Sequence, residues 1–150
     1  MALTREGWVA TLVDANVLLD VLTEDATWFG WSAEALAAAA EAGPLVIDAI
    51  IYAEVSVRFT RIEDVDDALP PDEYLRAPLP WAAAFLAGKA FVRYRGQDGA
   101  RRSPLPDFFI GAHAAISGLR LLTRDATRYR TYFPDVPLTA PPDGPASARR

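Results

Sequence analysis

Thr11-Leu12-Val13-Asp14-Ala15-Asn16-Val17-Leu18 joins a short β-prone run to an acid and then to an apolar helix running to Leu22. The plan returns at Leu45-Val46-Ile47-Asp48, where Asp48 reads as the N-cap of a helix through about Phe59. It returns again at Leu119-Arg120-Leu121-Leu122-Thr123-Arg124-Asp125. Further helices are expected over 32–42, stopped by Gly43-Pro44, and over 62–68, 81–94 and 107–117, with Gly118 closing the last. Residues 96–106 read as a Gly-, Pro- and Arg-rich loop, and Val136-Pro137-Leu138 as a short final strand. Strands alternating with helices predict an α/β fold, a sandwich whose central parallel sheet is flanked by helices. Residues 1–140 are read as one domain and 141–150, which lack an apolar pattern, as a disordered tail.

At 150 residues and 51% hydrophobic, the chain is long enough to bury a core. It has no cysteine and one histidine, His113, which excludes disulfides and thiolate metal sites and argues against zinc. A metal here must be held by oxygen, which points to Mg²⁺ or Mn²⁺. The N-terminal stretch is not a signal peptide and no membrane span is apparent, so a soluble cytoplasmic protein is expected. A net charge of −5 speaks against a nucleic-acid partner, but the charge is patchy. Acids crowd 63–73, which reads as a solvated face, while Lys89, Arg93, Arg95, Arg101 and Arg102 oppose only Asp98.

In a parallel α/β sheet, ligands bind at the carboxyl ends of the strands where the order reverses. Asp14 and Asp125 both follow strand-like runs and should share that edge. Glu54 interrupts the apolar stretch Ile50-Ile51-Tyr52-Ala53-Glu54-Val55, and Asp107 opens a helix after Pro104-Leu105-Pro106. Singly, each acid has a plain alternative: a helix cap for Asp14, Asp107 and Asp125, an outward-facing carboxylate for Glu54. Together they would repel one another unless a cation neutralised them. One or two Mg²⁺ ions would do so and supply phosphodiester chemistry. Asn16 has two readings, orienting a ligand or building the turn, and Thr123 is either a holder of metal-bound water or strand filler. His113, about 120° around the helix from Asp107, reads as packed or surface-exposed. Asp20, Glu24 and Asp25 read as a solvated helix end, while Gly111 and Ala114 share Asp107's face and would let a neighbour approach closely.

These segments resemble the acidic motifs of PIN domains. The likeness lies in Val13 to Asp20, in Ile51 to Ser56, in Leu105 to Ala114, and in Leu122 to Asp125 with Tyr129-Arg130-Thr131-Tyr132-Phe133-Pro134 after it. All four occur in family order over about 11–140, and the nearest likeness is to VapC-type toxins of toxin–antitoxin pairs. The resemblance implies a Mg²⁺- or Mn²⁺-dependent endoribonuclease with Asp14, Glu54, Asp107 and Asp125 as catalytic metal ligands and Asn16 and Thr123 in support. It also implies an RNA substrate, a homodimer and a cognate antitoxin. Ala15 stands where Thr or Ser is frequent, at a position that is not a ligand.

Arg95, Arg101 and Arg102 either guide the phosphate backbone or merely solubilise a loop. Trp28, Phe29 and Trp31 are either core or part of an antitoxin or dimer contact. A phosphatase of the haloacid dehalogenase type would need an acid at position 16, where Asn16 stands. A non-catalytic PIN-like module binding nucleic acid or protein is the remaining alternative, and clustered acids count against it.

Overall fold

A computed structural model describes residues 7–98 and 105–142. Five strands form one parallel sheet: β1 (Thr11–Val13), β2 (Leu45–Ile47), β3 (Tyr74–Arg76), β4 (Arg120–Leu122) and β5 (Leu138–Thr139). The helices are α1 (Ala15–Leu22), α2 (Phe29–Ala42), α3 (Ala49–Ser56), α4 (Ile62–Ala68), α5 (Trp81–Asp98), α6 (Leu105–Ser117) and α7 (Thr127–Tyr132). The spatial order β3-β2-β1-β4-β5 reverses between β1 and β4. Leu12 pairs with Val46 on one side and Leu121 on the other. The expected α/β sandwich is therefore present.

The short apolar runs are buried because helices cover the sheet. Leu12, Val13, Ile47, Leu121 and Leu122 are essentially inaccessible to solvent. Phe108 on α6 anchors an aromatic cluster with Phe91, Tyr94, Tyr132 and Phe133, the rings 5.3–6.3 Å from its own. The small residues of α6 act as expected, since a Cβ at Gly111 would run into the Phe133 ring. Asp48 caps α3, its Oδ1 accepting from the Ile51 N–H at 2.9 Å.

Several boundaries differ from the expectations. The strand β3 was not anticipated: it is an edge strand of three residues, two of them exposed, with no apolar pattern to announce it. The final strand starts at Leu138 because Pro137 has no N–H to give a ladder. Helix α2 begins at Phe29, where Asp25 Oδ2 accepts from the Thr27 and Trp28 N–H groups, and α3 ends at Ser56. Helix α5 continues to Asp98 and α6 begins at Leu105, so both ends of the predicted loop are helical. Residues 99–104 and 143–150, including Arg101, Arg102 and most of the expected tail, lie outside the described residues. No helix among the described residues is long and apolar enough to cross a membrane.

Asp20 is a correction. Instead of lying on a solvated helix end it is buried, accepting from Ser32 Oγ at 2.8 Å and from Arg124 Nε and Nη2 at 2.7 and 3.0 Å. The pair ties α1 and α2 to the segment after β4. Asp66 in the acidic run likewise has partners, Tyr52 Oη at 2.7 Å and Arg76 Nη2 at 2.9 Å.

Candidate active site

The reversal of strand order puts the ends of β1 and β4 side by side. Asp14 leaves β1 there and is 4% exposed. It stands at the N-cap position of α1, but its side chain makes no cap hydrogen bond. Its Oδ2 instead accepts from Thr123 Oγ1 at 2.9 Å and Tyr129 Oη at 3.0 Å. Capping thus does not explain Asp14. Burial pushes its carboxyl up to about 6, reinforced by the charge of Asp107 and opposed by the two hydroxyl donors.

Glu54 on α3 and Asp107 in the first turn of α6 converge on the same place. A cleft of about 350 Å³ is lined by Asp14, Asn16, Glu54 and Asp107 together with Ala15, Leu19 and Val57. Burial, then the charges of Asp14, Asp107 and Asp48, push Glu54 up to about 7. Asp107 is also raised, by burial and by Asp125, although Arg128 and Tyr129 pull the other way. Two hollows of about 520 and 630 Å³ are larger but lined mainly by apolar side chains, so concavity alone does not select the site. Mutual repulsion among the acids does.

Asn16 and Thr123 are bonded to each other beside Asp14. The Asn16 amide donates to Thr123 Oγ1 at 3.3 Å and its Oδ1 accepts from the Arg124 N–H at 3.2 Å. Asp125 is exposed at the rim, close enough for its charge to be felt by Asp107. Its N–H donates to Thr123 Oγ1 at 3.2 Å, and the cap position of α7 belongs to Ala126. Arg95 is exposed near the end of α5, 5.7 Å from the Phe91 ring. His113 is packed, its Nδ1 2.8 Å from Asp48 Oδ2. Phe29 is exposed while Trp28 and Trp31 are half-buried and meet edge to face. The three aromatics therefore divide between core and surface.

Two site residues were not anticipated. Tyr129 is buried and its hydroxyl spans Asp14 and, at 3.4 Å, Asp107. Its neighbour Arg128 pairs with Asp107, Nη1 to Oδ2 2.9 Å. The available signal was position, since both lie on the short helix right after Asp125. Removing the hydroxyl in Tyr129→Phe takes away a donor that holds the Asp14 carboxyl down. Asp14 should then titrate higher than in the wild type by carboxyl carbon NMR; a lower value would contradict the assignment of that donor.

The donor set suits a hard divalent cation: all oxygen, partly desolvated, and mutually repulsive. It is not a closed cage: among the described residues no three acid, histidine or cysteine side chains stand close enough together to hold an ion as they are placed. The chemistry fits, and the acids would have to draw together around the ion. A test needs no activity. Because the Glu54 carboxyl is raised on folding, it stabilises the metal-free fold below about pH 4.5, and that contribution is lost as pH rises through about 7. Glu54→Gln should therefore melt higher than wild type at pH 8 in EDTA. Discounted for a half-exposed group, the gain is about 1 kcal/mol, or about 2–4 °C. A lower melting point would favour a purely structural Glu54.

The fold and cleft together define an α/β protein with an acid-lined site at a topological switch point. The chain belongs to the PIN domain family, whose profile matches residues 11–134. Solved structures share the fold. VapBC-1 from nontypeable Haemophilus influenzae is 17% identical, covers 88% of this chain and 98% of its own, and has a TM-score of 0.64. VapBC2 from Rickettsia felis, bound to a DNA fragment from its promoter, is 16% identical with the same coverages and a TM-score of 0.62. A toxin–antitoxin complex from Klebsiella pneumoniae is 22% identical, with 86% and 95% covered and a TM-score of 0.57. Among curated protein sequences, none is similar enough to count as a match.

Proposed function

We propose that this PIN domain is a Mg²⁺- or Mn²⁺-dependent endoribonuclease acting as the toxin of a type II toxin–antitoxin pair. The observation that carries the reading is the convergence of Asp14, Glu54 and Asp107 on one cleft, each with its carboxyl raised. In this reading Asp14, Glu54, Asp107 and, from the rim, Asp125 hold the metal. The bound ion would activate water and stabilise the oxygens of an in-line phosphodiester displacement. Thr123 and Tyr129 fix the direction of the Asp14 carboxylate, and Asn16 clips the loop after β4 so that Thr123 stays in place. Arg95, with Arg101 and Arg102, would draw the RNA backbone toward the cleft.

The partner half of the proposal, a cognate antitoxin and a homodimer, is supported by likeness to complexes that are themselves described as toxin–antitoxin assemblies. A second reading, a PIN-like module that binds without cutting, draws support from the absence of a closed cage among the described residues. Incubation with total cellular RNA in Mg²⁺, Mn²⁺ or EDTA separates the two. Cuts with mappable ends in either metal and none in EDTA support the nuclease. Intact RNA in all three leaves the binding module.

A further inference from the structure

We propose that Arg128 is a built-in stand-in for the cation: it holds Asp107 in the metal-free protein and releases it when a divalent ion arrives, which frees its guanidinium for an RNA phosphate. The inference rests on the cleft being a metal centre. Asp107 is one of the three acids that line the cleft, and one of its oxygens is already engaged by Arg128.

The two arginine–aspartate pairs beside the cleft are built differently. Arg124 grips both oxygens of Asp20 with two nitrogens, and that carboxylate is 3% exposed and also bonded to Ser32. Such a forked, sealed pair is structural. Arg128 reaches Asp107 through one nitrogen at 2.9 Å, with both side chains about one-third exposed. A single-contact pair that solvent reaches on both sides is weak enough to be exchanged. In the same conformation its guanidinium carbon lies 5.7 Å from the Tyr94 ring, a contact that does not depend on the Asp107 pair. The next residue, Tyr129, is tied to Asp14 and not to Arg128, so the exchange asks only for a swing of the Arg128 side chain.

A dication on Asp107 repels the guanidinium beside it. Released at the mouth of the cleft, a planar five-donor cation is suited to a phosphate. Arg128 would thus be a positioning residue in the metal-free protein and a substrate-binding one in the loaded protein.

The test uses the full chain and reads binding rather than cleavage. Arginine side-chain ¹⁵N–¹H spectra are recorded during a MgCl₂ titration, with the Arg128 signal assigned by its loss in Arg128→Lys. The Arg128 signal should move as Mg²⁺ saturates, while that of Arg124 stays. By calorimetry, Arg128→Gln should bind Mn²⁺ about threefold tighter than wild type, the scale of a partly exposed ion pair. With Mg²⁺ present, a 2′-O-methyl RNA oligonucleotide should shift the Arg128 signal again. An Arg128 signal indifferent to Mg²⁺, or equal Mn²⁺ affinities, overturns the exchange and leaves the metal centre standing. A signal that answers Mg²⁺ but ignores the oligonucleotide overturns the phosphate role. No Mn²⁺ binding by either protein overturns the metal centre and the exchange with it.

Discussion

Asp14→Asn and Asp107→Asn should each cleave RNA at least about 100-fold more slowly than wild type while keeping the fold. The size follows from removing a charged oxygen donor, since loss of a residue that merely orients a ligand already reduces metal affinity or activity about 10- to 100-fold. Asparagine keeps the shape of the side chain and can still accept from Thr123 and Tyr129, the donors that hold Asp14 now. Circular dichroism should match wild type, and the melting point in EDTA should not fall much, because a repelling charge has been removed. Cleavage by either variant at near wild-type rate would sink the assignment of that carboxylate.

The second large effect is on stability. His113 and Asp48 are both buried, 1% and 2% exposed, and are each other's partner at 2.8 Å. In His113→Leu the outer oxygen of Asp48 loses its partner in a site that water does not reach. Leaving a buried charge uncompensated costs about 3 kcal/mol, or about 6–12 °C in melting temperature for a chain of this size. Adding Asp48→Ser removes the charge and retains a hydroxyl to cap α3, so the double variant should recover much of the loss. A single variant that melts within about 2 °C of wild type would show that the pair carries no such weight.

Much of the site was legible because its acids are tied to punctuation in the chain. Asp14 and Asp125 follow short strand-like runs, and strand ends in a parallel sheet share an edge. Asp107 and Glu54 stand out as charges against apolar surroundings. What escaped notice depends on contacts between distant segments. Asp20 looks like an exposed helix acid until Arg124, 104 residues away, is folded against it. Arg128 and Tyr129 stand close after Asp125 in the chain, but their contacts with Asp107 and Asp14 form only once α7 lies beside α6. The edge strand β3 escaped for another reason: two of its three side chains face solvent, so its pairing with β2 leaves no apolar signature.

The hydrogen bond from Thr123 to Asp14 spans 109 residues, and Tyr129 reaches back 115. During synthesis the first strand and its acid are made long before the residues that aim that acid. A chain halted before Asp107 carries two of the four acids. The nuclease proposed here would therefore be inert in a nascent chain until the segment through Tyr129 has been made.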